Sequence, residues 1–162
     1  MSVMTTLAQV HGMLPGSSLI NISAEAAKTL AITRVGTDSR QIEPGELFIA
    51  LAGDRFDAHD FLADVAKAGA VAAIISSQEK CPADLPGICV ANTRVALGEL
   101  AKAWRLQHSI PLALVTGSNG KTTVKEMIAS IFKAAVGEAN TLVTKGNLNN
   151  DIGLPLTILK LR

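Results

Sequence analysis

The sequence contains few of the residues that build disulfide or metal-bound scaffolds. Among its 162 residues there are two cysteines, Cys81 and Cys89, and three widely separated histidines, His11, His59 and His108. Two cysteines without a neighbouring histidine indicate neither a disulfide framework nor a zinc knuckle. We therefore interpret both cysteines as small apolar residues and expect no metal site built from histidine and cysteine.

Long apolar runs and a surplus of one charge are also missing. No apolar run is long enough to span a membrane, and the N-terminus lacks the basic start, apolar core and small-residue cleavage site of a secretion signal. The formal net charge is +1 and the pI is about 7.8, without the broad basic excess of a nucleic-acid binder. We expect a cytoplasmic protein whose partners are small molecules, with no nucleic-acid partner and no membrane insertion.

Apolar segments and helical patterns alternate along the chain. Continuous apolar segments predict buried strands at 47–52, 71–75 and 88–91, and apolar residues at helical spacing predict helices at 4–14, 60–68 and 94–107. The strand, helix and strand between 47 and 75 form a predicted βαβ unit. This alternation indicates an α/β fold with a parallel sheet covered on both faces. A loop-like stretch at 83–87 predicts a domain boundary near 85–92.

Residues 112–123 carry the most informative pattern of the chain. An apolar strand is predicted to lead into the loop Gly-Ser-Asn-Gly, and a Lys and two Thr then open a helix. Backbone N–H groups at such a helix start can cradle phosphate oxygens, while Lys121 reaches the β- and γ-phosphates and Thr122 holds magnesium. Val115 stands where the general P-loop pattern has glycine, so an ordinary strand–turn–helix with an exposed lysine stays open as an alternative. Gly117 and Gly120 lack the third glycine of a dinucleotide fingerprint, which disfavours NAD.

The last forty residues extend the same pattern without completing it. We predict a helix over 121–135, a strand at 141–144 and a further helix whose first residue is Pro155. No acidic strand end of the kind that completes a P-loop magnesium site follows before Arg162. We therefore expect the sequence to be cut inside its second domain.

Four ordered motifs resemble those of the Mur ligases. The segment Thr-Gly-Ser-Asn-Gly-Lys-Thr-Thr at 116–123 is similar to the ATP signature of that family, which does not need glycine at position 115. The other three lie at 37–50, 57–61 and 146–155. The Asn-x-Asn-Asn form of the last motif, with Val-Lys-Glu-Met at 124–127, most resembles the members that join D-alanyl-D-alanine to a UDP-N-acetylmuramoyl-tripeptide.

The resemblance implies an enzyme of peptidoglycan precursor synthesis with three domains. Residues 1–90 would form a small α/β domain that binds the UDP-sugar-peptide, and residues 91–162 would begin a P-loop-type parallel-sheet ATP-binding domain. In the implied reaction, the γ-phosphate of ATP goes to the peptide carboxylate and the amine of D-alanyl-D-alanine displaces it. The resemblance further implies a monomer that uses ATP and magnesium. The family's acidic magnesium ligand, catalytic histidine, modified lysine and amine-binding residues would lie beyond position 162.

The resemblance also assigns roles to individual residues. Lys121 would be the catalytic cation and Thr122 the protein ligand of magnesium. The ATP-binding residues would be Gly117, Ser118, Asn119, Gly120, Lys121, Thr122 and Thr123. The substrate-binding residues would be Ser39, Arg40, Asn147, Asn149 and Asn150.

Plainer interpretations stay open for several of these residues. Ser39 and Arg40 could belong to an ordinary polar loop, and the three asparagines could form Asx-turns that lead into a helix. We expect Asp57 and His59 to stabilise the loop that opens the 60–68 helix and Lys125 to be a solvated helix charge. The alternative functions are another Mur ligase, a P-loop kinase or GTPase-like protein, and a non-catalytic module that binds a UDP-sugar.

Overall fold

The computed structural model describes residues 3–53 and 56–162. Its largest sheet has five strands in the order β2-β9-β8-β5-β4. Strands β4, β5, β8 and β9 run parallel, and β2 pairs with β9 in the antiparallel sense at one edge. The bounds of these strands are β2 Ser18–Ile20, β4 Arg34–Gly36, β5 Glu46–Ile49, β8 Ala72–Ile75 and β9 Gly87–Cys89.

Six helices and two small strand pairs complete the described fold. The helices are α1 Leu7–Gly12, α2 Ala24–Thr29, α3 Leu62–Lys67, α4 Thr93–Leu106, α5 Lys121–Val136 and α6 Gly153–Ile158. Strand β1 Thr5–Thr6 pairs with β3 Ala31–Ile32, and β6 Ala52–Gly53 pairs with β7 Phe56–Asp57. Short 3₁₀ turns lie at Ala58–Phe61, Gln78–Lys80 and Glu138–Asn140. No helix of the described residues has both the length and the hydropathy that crossing a membrane requires.

Successive residues of the sheet strands point to opposite sides, and helices pack against both faces of the sheet. Leu47 and Ile49 of β5 belong to a core cluster that includes α1 and α4. Phe48, between them, belongs to a second cluster with Leu62 and Val65 of α3. The predicted α/β fold is confirmed, as is the βαβ unit, in which α3 connects the adjacent parallel strands β5 and β8.

Two strands predicted in the second half of the chain are not strands in the structure. Residues 111–116 belong to no strand, and the side chains of Leu112 and Leu114 are 67% and 78% exposed. Residues 141–144 are likewise unpaired. A strand needs a neighbouring strand for its backbone hydrogen bonds, and no described strand pairs with either stretch. The apolar pattern therefore predicted a pairing that the structure does not have, and its leucines at 112, 114 and 142 are exposed.

Three predicted helices have different bounds in the structure, and two have the predicted ones. The first helix begins at Leu7 because Thr6 and Gln9 form a capping box there, and it ends at Gly12, with Met13 as its C-cap residue. The predicted 60–68 helix begins as a 3₁₀ turn before α3. Pro155 is the third residue of α6 rather than its first. The helices predicted at 94–107 and 121–135 are confirmed as α4 and α5 within a residue at each end.

Helix α4 connects the sheet to the C-terminal part of the chain. Leu97 and Leu100 pack in the same cluster as the sheet and α6. The Trp104 indole N–H donates to the Leu161 carbonyl at 3.2 Å, and the Arg94 guanidinium pairs with the Asp151 carboxylate at 2.7 Å. These contacts fix the asparagine-rich segment before α6 against the start of α4.

Candidate functional site

The phosphate loop lies between the 111–116 segment and the N-terminus of α5. Gly117 and Gly120 have φ of 147° and 77°, backbone conformations that side chains with a Cβ rarely adopt. Gly120 is the N-cap residue of α5 and has no side chain that could accept from the helix start. The first N–H groups of the helix are therefore directed into the loop without an intrahelical partner, as an anion site requires.

Lys121 is folded back over this loop. Its ammonium donates to the Gly117 carbonyl at 2.5 Å and lies 3.3 Å from the Ser118 carbonyl. The positive charge therefore lies on the side of the helix start that would face a bound phosphate. The neighbouring Thr122 and Thr123 are exposed in the first turn of α5.

Lys125 is not the solvated charge that the sequence predicted. Its side chain is only 20% exposed, and its ammonium donates to the Thr144 carbonyl at 2.7 Å and pairs with Glu126 at 2.9 Å. A lysine one turn after the phosphate-loop lysine can reach across to the next segment because that segment runs beside α5. Lys125 therefore connects the phosphate-loop helix to the stretch that leads into the asparagine motif.

In the asparagine motif, the side chain of Asn150 stabilises the turn that leads into α6. Its side-chain oxygen accepts from the Gly153 N–H at 2.7 Å and from the Ile152 N–H at 3.4 Å, which caps the start of α6. A Cβ on Gly153 would lie 2.7 Å from the Leu148 backbone, so this turn requires glycine. The Asx-turn alternative is thus confirmed for Asn150, whereas Asn147 and Asn149 are exposed.

A separate cleft contains the first motif of the sequence. It has a volume of about 640 Å³ and is lined by Thr37, Asp38, Ser39, Arg40, Phe56, Phe61 and Asp64. The structure thus brings Ser39 and Arg40 together with two aromatic rings and a second carboxylate. The described contacts do not join this cleft to the phosphate loop.

Arg40 is held in a fixed orientation by Asp38. The guanidinium donates from Nε and Nη2 to the two carboxylate oxygens, both at 2.8 Å, and the Arg40 backbone N–H donates to Oδ1 at 3.1 Å. These hydrogen bonds lower the pKa of Asp38 to about 2. The Arg40 side chain is 84% exposed, so a phosphate can approach the same planar fork that now holds the carboxylate.

His59 anchors the turn that carries the two rings. Its Nε2 accepts the Ser76 backbone N–H at 2.9 Å, and its Nδ1 lies 2.6 Å from the Asp57 carboxylate. A backbone N–H can only donate, so Nε2 carries no proton and the ring donates from Nδ1. Lys80 joins the network by donating to Asp57 at 2.7 Å and Asp60 at 2.6 Å, and with the His59 bonds it holds the pKa of Asp57 well below its usual range. The predicted stabilising role of Asp57 and His59 is confirmed.

A buried carboxylate supports the strand that leads into the cleft. Glu46 is 1% exposed, accepts the Glu43 backbone N–H at 3.2 Å and pairs with Arg34 at 3.1 Å, while burial raises its pKa. A Cβ on Gly36 would lie 2.0 Å from the Glu46 carboxylate oxygen. Because Gly36 has no side chain, the Glu46 carboxylate can pack against the end of β4, immediately before the Thr37–Arg40 turn.

Two family models match consecutive parts of this chain. The model described as the Mur ligase family, catalytic domain, matches residues 31–105, and the Mur ligase middle domain matches residues 115–162. The chain belongs to the Mur ligase family. The matches contain both the cleft at 37–40 and the phosphate loop at 117–123, so the two sites built above lie on family domains.

Individual relatives agree with this assignment. The UDP-N-acetylmuramoyl-tripeptide--D-alanyl-D-alanine ligase of Escherichia coli strain K12 is 51% identical over 132 residues, which are 82% of this chain and 28% of that protein. A crystal structure of MurF from Acinetobacter baumannii matches all of this chain and 34% of its own, with a TM-score of 0.84 and 39% identity. MurF ligase from Thermotoga maritima in complex with ADP matches 80% of this chain and 29% of its own, with a TM-score of 0.63 and 32% identity. The chain thus spans about a third or less of these relatives.

Sequence reasoning missed several residues of the cleft. Phe56, Phe61 and Asp64 lie within or beside a motif that the resemblance had already singled out, but their types alone did not mark them as site residues. Two aromatic residues that flank the Asp-Ala-His turn at 57–59, close in sequence to the resemblance motif, are the signal that could have found the rings. Glu46 could not be found in this way, because its burial depends on Gly36 of a neighbouring strand.

Proposed function

We propose that the protein carrying this chain is an ATP-dependent amide ligase that adds D-alanyl-D-alanine to UDP-N-acetylmuramoyl-tripeptide in peptidoglycan precursor synthesis. The observation that carries the proposal is the ammonium of Lys121 over the phosphate loop, 2.5 Å from the Gly117 carbonyl, at an uncapped helix start. The family membership and the 51% identity to the E. coli ligase support the choice of reaction.

The reaction would proceed through an acyl phosphate. A carboxylate oxygen of the peptide attacks the γ-phosphorus of ATP, and ADP leaves. The amine of D-alanyl-D-alanine then attacks the acyl carbon, inorganic phosphate leaves and the amide forms. Both partners of the first step are anions, so stabilisation requires positive charge and oriented N–H groups more than a nucleophilic side chain. Lys121 supplies the charge, and residues 117–123 supply the N–H groups.

Thr122 is the residue that we propose as the protein ligand of magnesium. Its hydroxyl lies in the exposed first turn of α5, next to Lys121, and a hydroxyl oxygen suits this hard cation. In residues 3–53 and 56–162 no group of three or more His, Cys, Asp or Glu side chains could hold a metal by itself. Magnesium bound here would neutralise phosphate charge, with phosphate oxygens and water filling the rest of its shell.

The cleft around Ser39 and Arg40 is our proposed site for the UDP part of the substrate. The Arg40 fork matches the geometry of phosphate oxygens, and the Ser39 hydroxyl can donate to the same group. Asp38 now occupies the fork, so the diphosphate would compete with this carboxylate or use the remaining nitrogen. We further propose that Asn147 and Asn149, together with the free amide nitrogen of Asn150, contact the substrate. The Lys125–Thr144 hydrogen bond supports this by connecting their segment to the phosphate-loop helix.

For the organisation of the chain, we propose a sugar-nucleotide domain over 1–90 and the first part of an ATP-binding domain over 91–162. The Arg94–Asp151 ion pair and the Trp104–Leu161 hydrogen bond support this division, because they join α4 to the C-terminal part. The first family match, however, runs through residue 105 and includes α4. We also propose that the protein is cytoplasmic, because its proposed substrates are nucleotides and small peptides, and that it is a monomer, as the family resemblance implies.

A reconstituted ligation assay tests the proposed function. Purified protein is incubated with ATP, magnesium, UDP-N-acetylmuramoyl-tripeptide and D-alanyl-D-alanine, and ADP release and product mass are measured. We expect one amide product per ADP and no product when either peptide substrate is omitted. Product formed only from UDP-linked dipeptide and a free diamino acid would assign the protein to a sister ligase. Substrate binding without any ADP release would support a non-catalytic module, and ADP release without an amide product would support a kinase-like activity.

A further inference from the structure

The cleft contains two aromatic side chains, Phe56 and Phe61, that have no role in binding a phosphate. The rings of Phe56 and Phe61 are stacked, with centroids 5.3 Å apart and planes inclined by 17°. They nevertheless remain 56% and 37% exposed. By contrast, Phe48 is fully buried in the core. An exposed aromatic pair in a cleft presents a flat apolar surface that gains free energy when another ring covers it.

The wall is held in place before any ligand binds. Phe56 lies on the β6–β7 pair, opposite Gly53, and the Ala58 N–H donates to the Leu51 carbonyl at 3.0 Å. Phe61 closes the 3₁₀ turn that His59 anchors to the Ser76 N–H. These contacts fix the backbone positions of Phe56 and of the 3₁₀ turn that contains Phe61.

The chemistry beside the rings specifies the kind of ligand. Arg40 provides a fork for phosphate oxygens, and Asp38 and Asp64 provide carboxylates that can accept N–H groups. A flat ring surface next to a cation and hydrogen-bond acceptors matches a nucleotide whose base carries an N–H donor. Uracil has such a donor at N3.

We propose that Phe56 and Phe61 form the base-binding wall of this cleft, on which the uracil ring of the UDP-linked substrate stacks. The proposal rests on the proposed function, which supplies the identity of the nucleotide. It assigns recognition of the base to the two phenylalanines and leaves recognition of the diphosphate to Arg40. Base stacking on an aromatic side chain changes affinity by about fivefold or more for each stack.

The test compares UDP with 5,6-dihydro-UDP, whose base is no longer planar, by calorimetric titration of the protein. We expect the unaltered protein to bind UDP several-fold more tightly than 5,6-dihydro-UDP. In Phe56→Leu and Phe61→Leu this ratio should fall close to one, whereas Phe61→Tyr should keep it. Phe132→Leu is the matched control, because Phe132 is also 37% exposed but lies on α5, and it should leave the ratio unchanged.

A ratio that stays the same in both leucine variants would overturn the proposal, as would Phe61→Tyr behaving like Phe61→Leu or a failure of the unaltered protein to bind UDP. A merely structural role would weaken both ligands equally and leave the ratio intact. The titration needs no ligation. Loss of the ratio without measurable ligation would therefore refute only the proposed reaction, and ligation with an unchanged ratio would refute only the base-binding wall.

Discussion

Lys121 is the residue on which the proposed chemistry depends most directly. Its ammonium contacts the loop carbonyls, so a bound phosphate would replace these contacts with stronger ones to charged oxygens. We predict that Lys121→Ala lowers kcat/KM for ligation about a hundred- to a thousandfold without changing the thermal unfolding midpoint. Steady-state kinetics and circular dichroism measure the two effects.

Lys133→Ala is the matched control for this substitution. Lys133 lies on the same helix but pairs with Glu138 at 2.9 Å, far along α5 from the loop, so its loss should leave kcat/KM within about twofold. A Lys121→Ala variant that keeps more than about a tenth of the unaltered activity would remove Lys121 from the mechanism.

A substitution at Gly36 tests the packing of β4 against the buried Glu46 carboxylate next to the cleft. An alanine there would place its Cβ against the buried Glu46 carboxylate, which Arg34 and the Glu43 N–H hold in place. We predict that Gly36→Ala lowers the free energy of unfolding by about 1–3 kcal/mol, the usual cost of overpacking. Urea denaturation gives this value.

A double-mutant cycle identifies the cause of that loss. In a Glu46→Ala background the clashing carboxylate is gone, so Gly36→Ala should cost much less there than in the unaltered protein. Equal costs in the two backgrounds would mean that strain elsewhere, and not the Glu46 contact, accounts for the glycine.

At the level of elements, the turn between β7 and α3 couples the His59 network to the cleft. His59→Leu removes the acceptor of the Ser76 N–H and the donor to Asp57, so we predict a raised KM for the UDP-linked substrate with kcat changed less than about threefold. His59→Gln keeps an oxygen near the position of Nε2 and should restore most of the affinity. Kinetics of both variants check this. A fall in kcat at constant KM in His59→Leu would contradict a positioning role.

The elements that the sequence predicted correctly are those with a repeating apolar pattern. Helices α3, α4 and α5 have one, and the buried strands β5 and β8 were predicted from continuous apolar segments instead. The short strands β2, β4 and β6 do not, because two or three residues cannot display a period, and they form only through pairing with distant partners. For residues 111–116 the strand prediction was wrong for the opposite reason, since their apolar pattern was strong but no described strand pairs with them.

The candidate sites likewise differ in how much of each could be predicted from residues close together in the sequence. The phosphate loop could be predicted because glycine positions, lysine and helix start lie within eight consecutive residues. Ser39 and Arg40 were found through the family resemblance, and the structure added Phe56 and Phe61, which only the turn at 57–61 brings beside them. The role of Lys125 was mistaken because its partner, the Thr144 carbonyl, is nineteen residues away.

Across the whole molecule, burial is unevenly distributed. Helix α4 buries Leu97, Leu100 and Trp104, whereas Ala129 is the buried residue of α5. We predict that amides in 110–162 exchange with solvent faster than those in 1–90, because few buried contacts hold α5 in place. Hydrogen exchange read by mass spectrometry on this 162-residue chain, in a verified monomer, measures the difference. Slower exchange in 110–162 would contradict this view of the second half.

The central claim is that one chain binds two nucleotides at two separate sites. Calorimetric titration of the protein with UDP-N-acetylmuramoyl-tripeptide and with a non-hydrolysable ATP analogue tests it most directly. If Arg40 holds the UDP diphosphate and Lys121 the ATP phosphates, Arg40→Ala should weaken binding of the UDP compound about tenfold or more and leave the ATP analogue within about twofold. Lys121→Ala should give the reverse pattern. Equal weakening of both ligands by either variant, or no weakening by both, would contradict the assignment of the two sites.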